Sequence, residues 1–278
     1  MKSVSIIVPV YKVEAYIEQC ARSVLGQTWP KMQFIFVDDA SPDRSIELLE
    51  ALIDREFPQL KEQISIIRKP VNEGLPQARK TGVAAATGDY IMHVDSDDWI
   101  EADAAEKLVG KAESEDADVV CFFAWKELAE GERKLISDKL FPSPQALAQA
   151  CFVHKAHPSV ALKLWRRSLF SPEIFFPRFG QHEDMVQTLQ LLGHASKVAL
   201  LPEPLYHYRK DNAGAMTKSR RAKRRLQSLR NYLDLCMFYR ANPAASPIAG
   251  LYKRILRKAR LWTFVYDRGA RKEYPELF

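Results

Sequence analysis

The sequence predicts an α/β fold: a mostly parallel, Rossmann-like sheet flanked by helices. Three observations carry that expectation. Strand-like and helix-like segments alternate four times in about 120 residues. The strand segments are short apolar runs rich in β-branched residues. Polar residues gather just after three of them, at the ends where open parallel sheets bind ligands.

Residues 4–8, VSIIV, form the first strand. Val13, Tyr16, Ile17, Cys20, Val24 and Leu25 then recur at helical spacing. QFIFVD at 33–38 is the second strand, and Ser41 and Pro42 suit the N-cap and first turn of the next helix. ISII at 64–67 is the third strand. Leu75, Ala78, Gly82, Val83 and Ala86 line the helix that follows, with Gly88 as its terminator. DYIMHV at 89–94 is the fourth strand, 102–116 a helix, and DVVCFFA at 118–124 the fifth strand. Further on, 143–154 and 182–193 read as helices. SKVALL and LYHYRK read as two short strands around Pro202 and Pro204, and Trp165-Arg166-Arg167 as a partly exposed helix turn. From about 219 the chain reads as helical and basic, with a break near 242–247. No internal repeat is found.

Composition narrows the function classes. The chain has 278 residues, 47% hydrophobic and 27% charged, the profile of a globular protein. No apolar run reaches the length of a membrane span, and MKSVSIIVPVY lacks the long apolar region of a signal peptide. The expectation is a cytoplasmic protein. Cys20, Cys121, Cys151 and Cys236 are too scattered for a zinc site, and the chain is too long to need a disulfide framework, so reduced, buried thiols are expected. The net charge of +6 hides an asymmetry: 23 basic against 30 acidic residues in 1–208, and 18 against 3 in 209–272. A basic C-terminal quarter suits an anionic partner.

HVDSDDWI, at 93–100, crowds Asp95, Asp97 and Asp98 at the end of the fourth strand. In an extended segment Asp95 and Asp97 share one side and Asp98 takes the other. Two such carboxylates could share a hard cation whose remaining positions go to water and phosphate oxygens. Read alone, a short acidic triplet favours a solvated turn, and Asp98 suits a cap on the next helix. Asp39, after the second strand, could accept a hydrogen bond from a base or ribose, or complement a helix N-terminus. Arg79 could grip a pyrophosphate with paired hydrogen bonds, though an isolated arginine more often lies on the surface. Glu183 and Asp184 open a helix, where a carboxylate could serve as general base or simply face the dipole. His182, His207 and Tyr208 could line a cleft.

In order and context these pieces resemble the family two inverting glycosyltransferases of the GT-A fold, bacterial polysaccharide or lipopolysaccharide type. The matching stretches are VSIIVPVYKVEAYIEQCARSVLGQTW, FVDDASPD, NEGLPQARKTGVAAATGDYIMHVDSDDWI, KLWRRSLF, HEDMVQTLQLL and PLYHYR, across roughly residues 3–210. The resemblance implies a glycosyltransferase domain at 1–210, with a nucleotide-binding half at 1–124 and an acceptor-side half at 125–210, followed by a basic helical region at 211–278. It implies that Pro9 and Tyr11 lie in the nucleotide pocket, that Asp39 meets the base, and that Arg79 lies near the phosphates. Asp95-Ser96-Asp97 becomes the Asp-Xaa-Asp motif, with Asp97 on Mn2+ or Mg2+ and Asp95 nearer the ribose. Asp184 resembles the catalytic base. The implied reaction is direct displacement, with inversion, of a sugar from a nucleotide-sugar (a UDP-sugar) onto a hydroxyl of a glycan or lipid-linked saccharide. Lys12 and Lys80 depart from the family's commonest residues.

The basic stretches between 219 and 266 mix Arg and Lys with Leu, Ile, Trp, Phe and Tyr. Such helices can lie on an anionic membrane, here the inner face of the bacterial cell membrane, or pack their apolar residues on the catalytic domain. No nucleic-acid module accompanies the charge, and no nucleic-acid partner is expected. Two other readings are a sugar nucleotidyltransferase, which needs a Gly-rich phosphate loop that IIVPVYKVE lacks, and a non-catalytic basic membrane or nucleic-acid adaptor.

Overall fold

All seven residues of β1 (Val4–Val10) are buried, because helices cover both faces of the strand. Val4, Ile6, Val8 and Val10 pack with α1 (Ile17–Leu25), α2 (Ser45–Glu56) and α4 (Ala104–Glu115), while Ile7 faces α3 (Leu75–Ala85) on the other side. This alternation of faces explains a continuous apolar run where a one-sided strand would alternate with polar residues. The computed structural model describes residues 1–128, 131–170, 174–210, 221–242, 249–267 and 269–278.

β1 pairs in parallel with β2 (Met32–Asp38) and β4 (Tyr90–His93), and β2 with β3 (Ile64–Arg68). The expected parallel half-sheet is present. Beyond β4 the pattern changes. β8 (Lys163–Arg166) inserts antiparallel between β4 and β6 (Val119–Glu127), β9 (Val198–Arg209) runs parallel to β6, and β5 (Trp99–Ile100) closes the edge against β9. β7 (Arg133–Ile136) hangs from β6. The order is β3-β2-β1-β4-β8-β6-β9-β5.

Several local expectations are corrected. Ser41 does not cap α2, which starts at Ser45; its hydroxyl accepts from the Lys12 amide at 2.8 Å and donates to Asp43. Gly88 does not end α3, which stops at Ala85. The Gly88 amide donates to Ser5 Oγ at 2.9 Å, and a side chain there would strike the Ser5 backbone. SKVALL and LYHYRK are one strand, β9, whose register against β6 shifts near Pro204. Trp165 is a buried strand residue rather than part of a helix turn. The fifth predicted strand, β6, is separated from β4 by β8, a strand too short and too interrupted by Lys and Arg to declare itself in sequence.

α5 (Pro144–Phe152) and α6 (Glu183–His194) build a second core with α7 (Arg221–Ala241), α8 (Ala249–Tyr266) and α9 (Ala270–Glu273). Leu229, Tyr232, Leu233 and Cys236 of α7, and Leu251, Ile255 and Ala259 of α8, are buried in it. Of the break expected at 242–247, residues 243–247 lie outside the described residues. All four cysteines are free and buried, as expected. No described helix is long and apolar enough to cross a membrane.

Candidate functional site

The carboxyl ends of β1, β2 and β4 meet the N-terminus of α6, and Arg79 joins them. Its guanidinium is fully buried. Nη2 donates to Asp95 Oδ1 at 2.8 Å, while Nη1 donates to Asp184 Oδ1 at 2.8 Å and to Glu183 Oε1 at 3.3 Å. One cation thus holds three carboxylates from two distant parts of the chain. The surface-arginine alternative is excluded, and both terminal nitrogens are engaged by protein acids. Arg79 reaches this point because Gly82, one turn later, lets α3 lie directly on β1. A Cβ at Gly82 would come within 2.3 Å of Ile7 Cγ2.

The acids differ in environment. Burial pushes the Asp184 carboxyl above its ordinary range, against the opposing pull of Arg79. Its side chain keeps 29% of its surface exposed. Burial, reinforced by the charge of Asp184, pushes Glu183 well up. With one guanidinium among three carboxylates, local charge balance favours a protonated Glu183.

The acidic triplet is a turn, not an extended segment: the Asp98 amide donates to the Asp95 carbonyl at 3.0 Å. Asp98 is turned inward, 1% exposed, accepting from the Tyr206 hydroxyl and the Arg209 amide, each at 2.7 Å. Burial, then Asp97 and Asp95, push its pKa well up. Asp98 ties the triplet to β9 and does not cap α4, which starts six residues later. Asp95 and Asp97 are half-buried, and Ser96 is buried between them. Arg209 steadies the turn through the Asp97 carbonyl, at 2.8 Å from its Nε.

Asp39 is 2% exposed. It accepts from the amides of Glu73 and Gly74 at 3.0 and 2.7 Å and pairs with Lys69 at 3.1 Å. Gly74, at φ 89°, is the N-cap of α3, so Asp39 complements that helix rather than α2. Pro9 is buried at the end of β1, and Tyr11 is exposed beside it. Lys12 sits at φ 55°, a left-handed conformation that asparagine adopts more readily than lysine.

Other expected cleft residues are placed elsewhere. His207 bridges Glu127 and Glu101 at 2.7 and 3.0 Å and stacks on Trp99. Trp165 and Arg166, read in the sequence as part of a helix turn, belong to β8, the latter pairing with Asp116 and Asp118. His182 does lie at the site, as the left-handed N-cap of α6. Tyr206 and Arg209 were not singled out by sequence; LYHYR signalled their segment, not their contacts, and the bridge from Glu183 to Arg79 was equally unsignalled.

The residues can be tested against a divalent cation. Among the described residues no group of three or more His, Cys, Asp or Glu converges as a metal cage. Asp95 and Asp97 form a smaller set, with one Asp95 oxygen held by Arg79. That set fits Mg2+ or Mn2+, which are commonly held by one or two carboxylates and completed by phosphate oxygens and water.

Comparison with known proteins matches this architecture. The model of the family "Glycosyl transferase family 2" matches residues 5–171, and the chain belongs to that family. It is similar to the uncharacterized glycosyltransferase EpsJ of Bacillus subtilis, 33% identical over 223 residues, covering 77% of this chain and 63% of EpsJ. Among solved structures, Staphylococcus aureus TarS 1–349 in complex with UDP-GlcNAc superposes with a TM-score of 0.71 at 19% identity, covering 96% of this chain and 74% of that one. The mannosyltransferase PcManGT of Pyrobaculum calidifontis, in complex with GDP-Man and Mn2+, gives 0.61 at 15% identity, covering 96% and 76%. The fold is the GT-A glycosyltransferase fold, as the sequence predicts.

Proposed function

We propose that the chain transfers a sugar from a nucleotide-sugar, a UDP-sugar, to a hydroxyl of a glycan or lipid-linked saccharide by direct displacement with inversion. The observation that carries this reading is the Arg79 fork, which couples Asp95 of the acidic turn to Asp184 of α6 through one buried guanidinium. A leaving-group carboxylate and a base are thereby held at one cleft. UDP-GlcNAc on TarS, and GDP-Man with Mn2+ on PcManGT, support a nucleotide-sugar donor.

In this reading Pro9, Tyr11 and Asp39 line the nucleoside pocket. Asp97, with Asp95 toward the ribose, holds Mn2+ or Mg2+. When bound, the cation offsets charge on the departing diphosphate. Asp184 takes the proton of the incoming hydroxyl. Its raised pKa brings it nearer the pH at which a base is both ionised and effective. Arg79 keeps that carboxylate aimed and limits the rise.

Two measurements test this. Calorimetry should show UDP binding that requires Mn2+ or Mg2+; no binding with metal present would sink the reading. Asp184→Asn should retain UDP binding while losing transfer by about 10²–10⁴-fold, the usual scale for general-base catalysis. Transfer at the parental rate would remove Asp184 from the base role.

A membrane-surface location accompanies the proposal. Leu261, Phe264 and Val265 near the end of α8 are 61%, 54% and 58% exposed, on a helix that also exposes Lys253, Arg254, Arg257 and Arg260. Exposed apolar side chains among cations suit an anionic bilayer, here the inner face of the cell membrane.

A further inference from the structure

At the N-terminus of α6, two positions before Asp184, His182 stands in a group of basic side chains. His182 and His154 have ring centroids 6.1 Å apart. Lys258 sits among Phe152, Tyr232 and Trp262, with Nζ 4.7, 5.2 and 4.9 Å from their ring centroids. The Tyr232 hydroxyl is 3.5 Å from His182 Nδ1. Arg224 completes the group, its charge felt at His182, and its Nε is buried without a hydrogen-bond partner. Among the described residues, none of His154, His182, Arg224 and Lys258 is paired with a carboxylate. The remaining salt bridges of α7, at Asp234 and Arg230, run to Arg178, Asp267 and Glu273 instead.

Clustered like charges without a counter-ion repel one another, and burial adds to the cost. Burial and the neighbouring cations hold His182 down to about 4, and burial lowers Lys258. The aromatic faces offset part of this for the ammonium. An anion would offset the rest. Basic side chains with no carboxylate partner among the described residues thus adjoin the N-terminus of α6.

We propose that His154, His182, Arg224 and Lys258 form a subsite for a phosphate group carried by the acceptor. This rests on the glycosyltransferase reading, in which the acceptor hydroxyl comes to Asp184, two positions beyond His182. A phosphate there neutralises the cluster and holds the acceptor hydroxyl's neighbouring atoms against α6. The same chemistry is offered by a phosphodiester polymer and by a lipid diphosphate.

The test is calorimetric binding to the full chain in EDTA, where the metal-free acidic side repels anions. Glycerol 3-phosphate should bind and glycerol should not. Lys258→Met, which keeps the packing volume, and Arg224→Gln should each weaken glycerol 3-phosphate at least tenfold, with folding checked by thermal melts. Binding should also take up protons, as His154 and His182 gain charge beside the phosphate. Glycerophosphoglycerol and geranyl diphosphate then separate the sources: tighter binding of the diester supports a polymer, tighter binding of the diphosphate a lipid carrier. Equal affinity for glycerol and its phosphate, or affinity unchanged in both variants, overturns the subsite. UDP with Mn2+ is measured on the parent chain in parallel. If UDP binds and the phosphate does not, the subsite falls and the donor reading stands. If the phosphate binds through Lys258 and UDP does not, the anion site stands and its assignment to an acceptor falls.

Discussion

Arg79 concentrates more of the site's electrostatics than any other described residue. Three carboxylates share its guanidinium, and removing it leaves them facing one another in a largely buried pocket. Arg79→Met should therefore cost about 3–5 kcal/mol of stability by urea denaturation, the scale for breaking a buried ion pair from one side. His182 gives a pH signature. Its pKa in the fold is about 4, against 6.5 for an unhindered imidazole. As pH falls through 6.5 the unfolded chain takes up a proton that the folded chain refuses. The stabilising difference is thus present at neutral pH and lost on the way to pH 4, by about 3 kcal/mol. His182→Asn, which suits the φ of 59°, should flatten that acid limb between pH 7 and 5 while keeping neutral-pH stability within about 1 kcal/mol. At this scale Asp95, Asp97 and Asp184 were legible, because carboxylates at strand and helix ends declare themselves locally. Their meeting through Arg79 was not, since Arg79 and Asp184 are 105 positions apart.

Among elements, α3 sets the geometry. It is aligned by Asp39 at its N-terminus and pressed onto β1 at Gly82. Gly82→Ala should destabilise by about 1–3 kcal/mol, as overpacking does, and misaim Arg79. In an Ile7→Ala background, which removes Cγ2, the same substitution should cost measurably less; an equal cost in both backgrounds would show that the Gly82–Ile7 contact does not set the helix height. The parallel strands were readable because burial on both faces makes them continuous apolar runs. β8 and β5 were not, being 4 and 2 residues long and defined only by their partners. Two strands were expected across Pro202 and Pro204. One irregular strand forms because β6 accepts a shifted register there.

For the whole molecule, the charge asymmetry has a structural counterpart. Most apolar residues of α7 and of the middle of α8 are absorbed by the second core, so packing on the domain accounts for most of the basic region's hydrophobicity. Leu261, Phe264 and Val265 are left outside. Sedimentation with phosphatidylglycerol vesicles should pull down the chain at low salt, with weaker capture on phosphatidylcholine and at 0.5 M salt, as electrostatic attraction is screened. Leu261→Ser, Phe264→Ser and Val265→Ser together should reduce capture at least tenfold without changing the melting temperature. Undiminished capture would assign any lipid binding to charge alone.

By itself the sequence determined the fold class, the order of the parallel strands' segments and the identity of the acids at their ends. Those follow from local periodicity and from the chemistry of single side chains, which neighbouring residues are enough to express. Tertiary structure alone decided which acids share a counter-ion, which way Asp98 turns, and where the basic helices pack. Each of these is a contact between segments far apart in the chain, formed only when burial removes the water that would otherwise keep the charges apart.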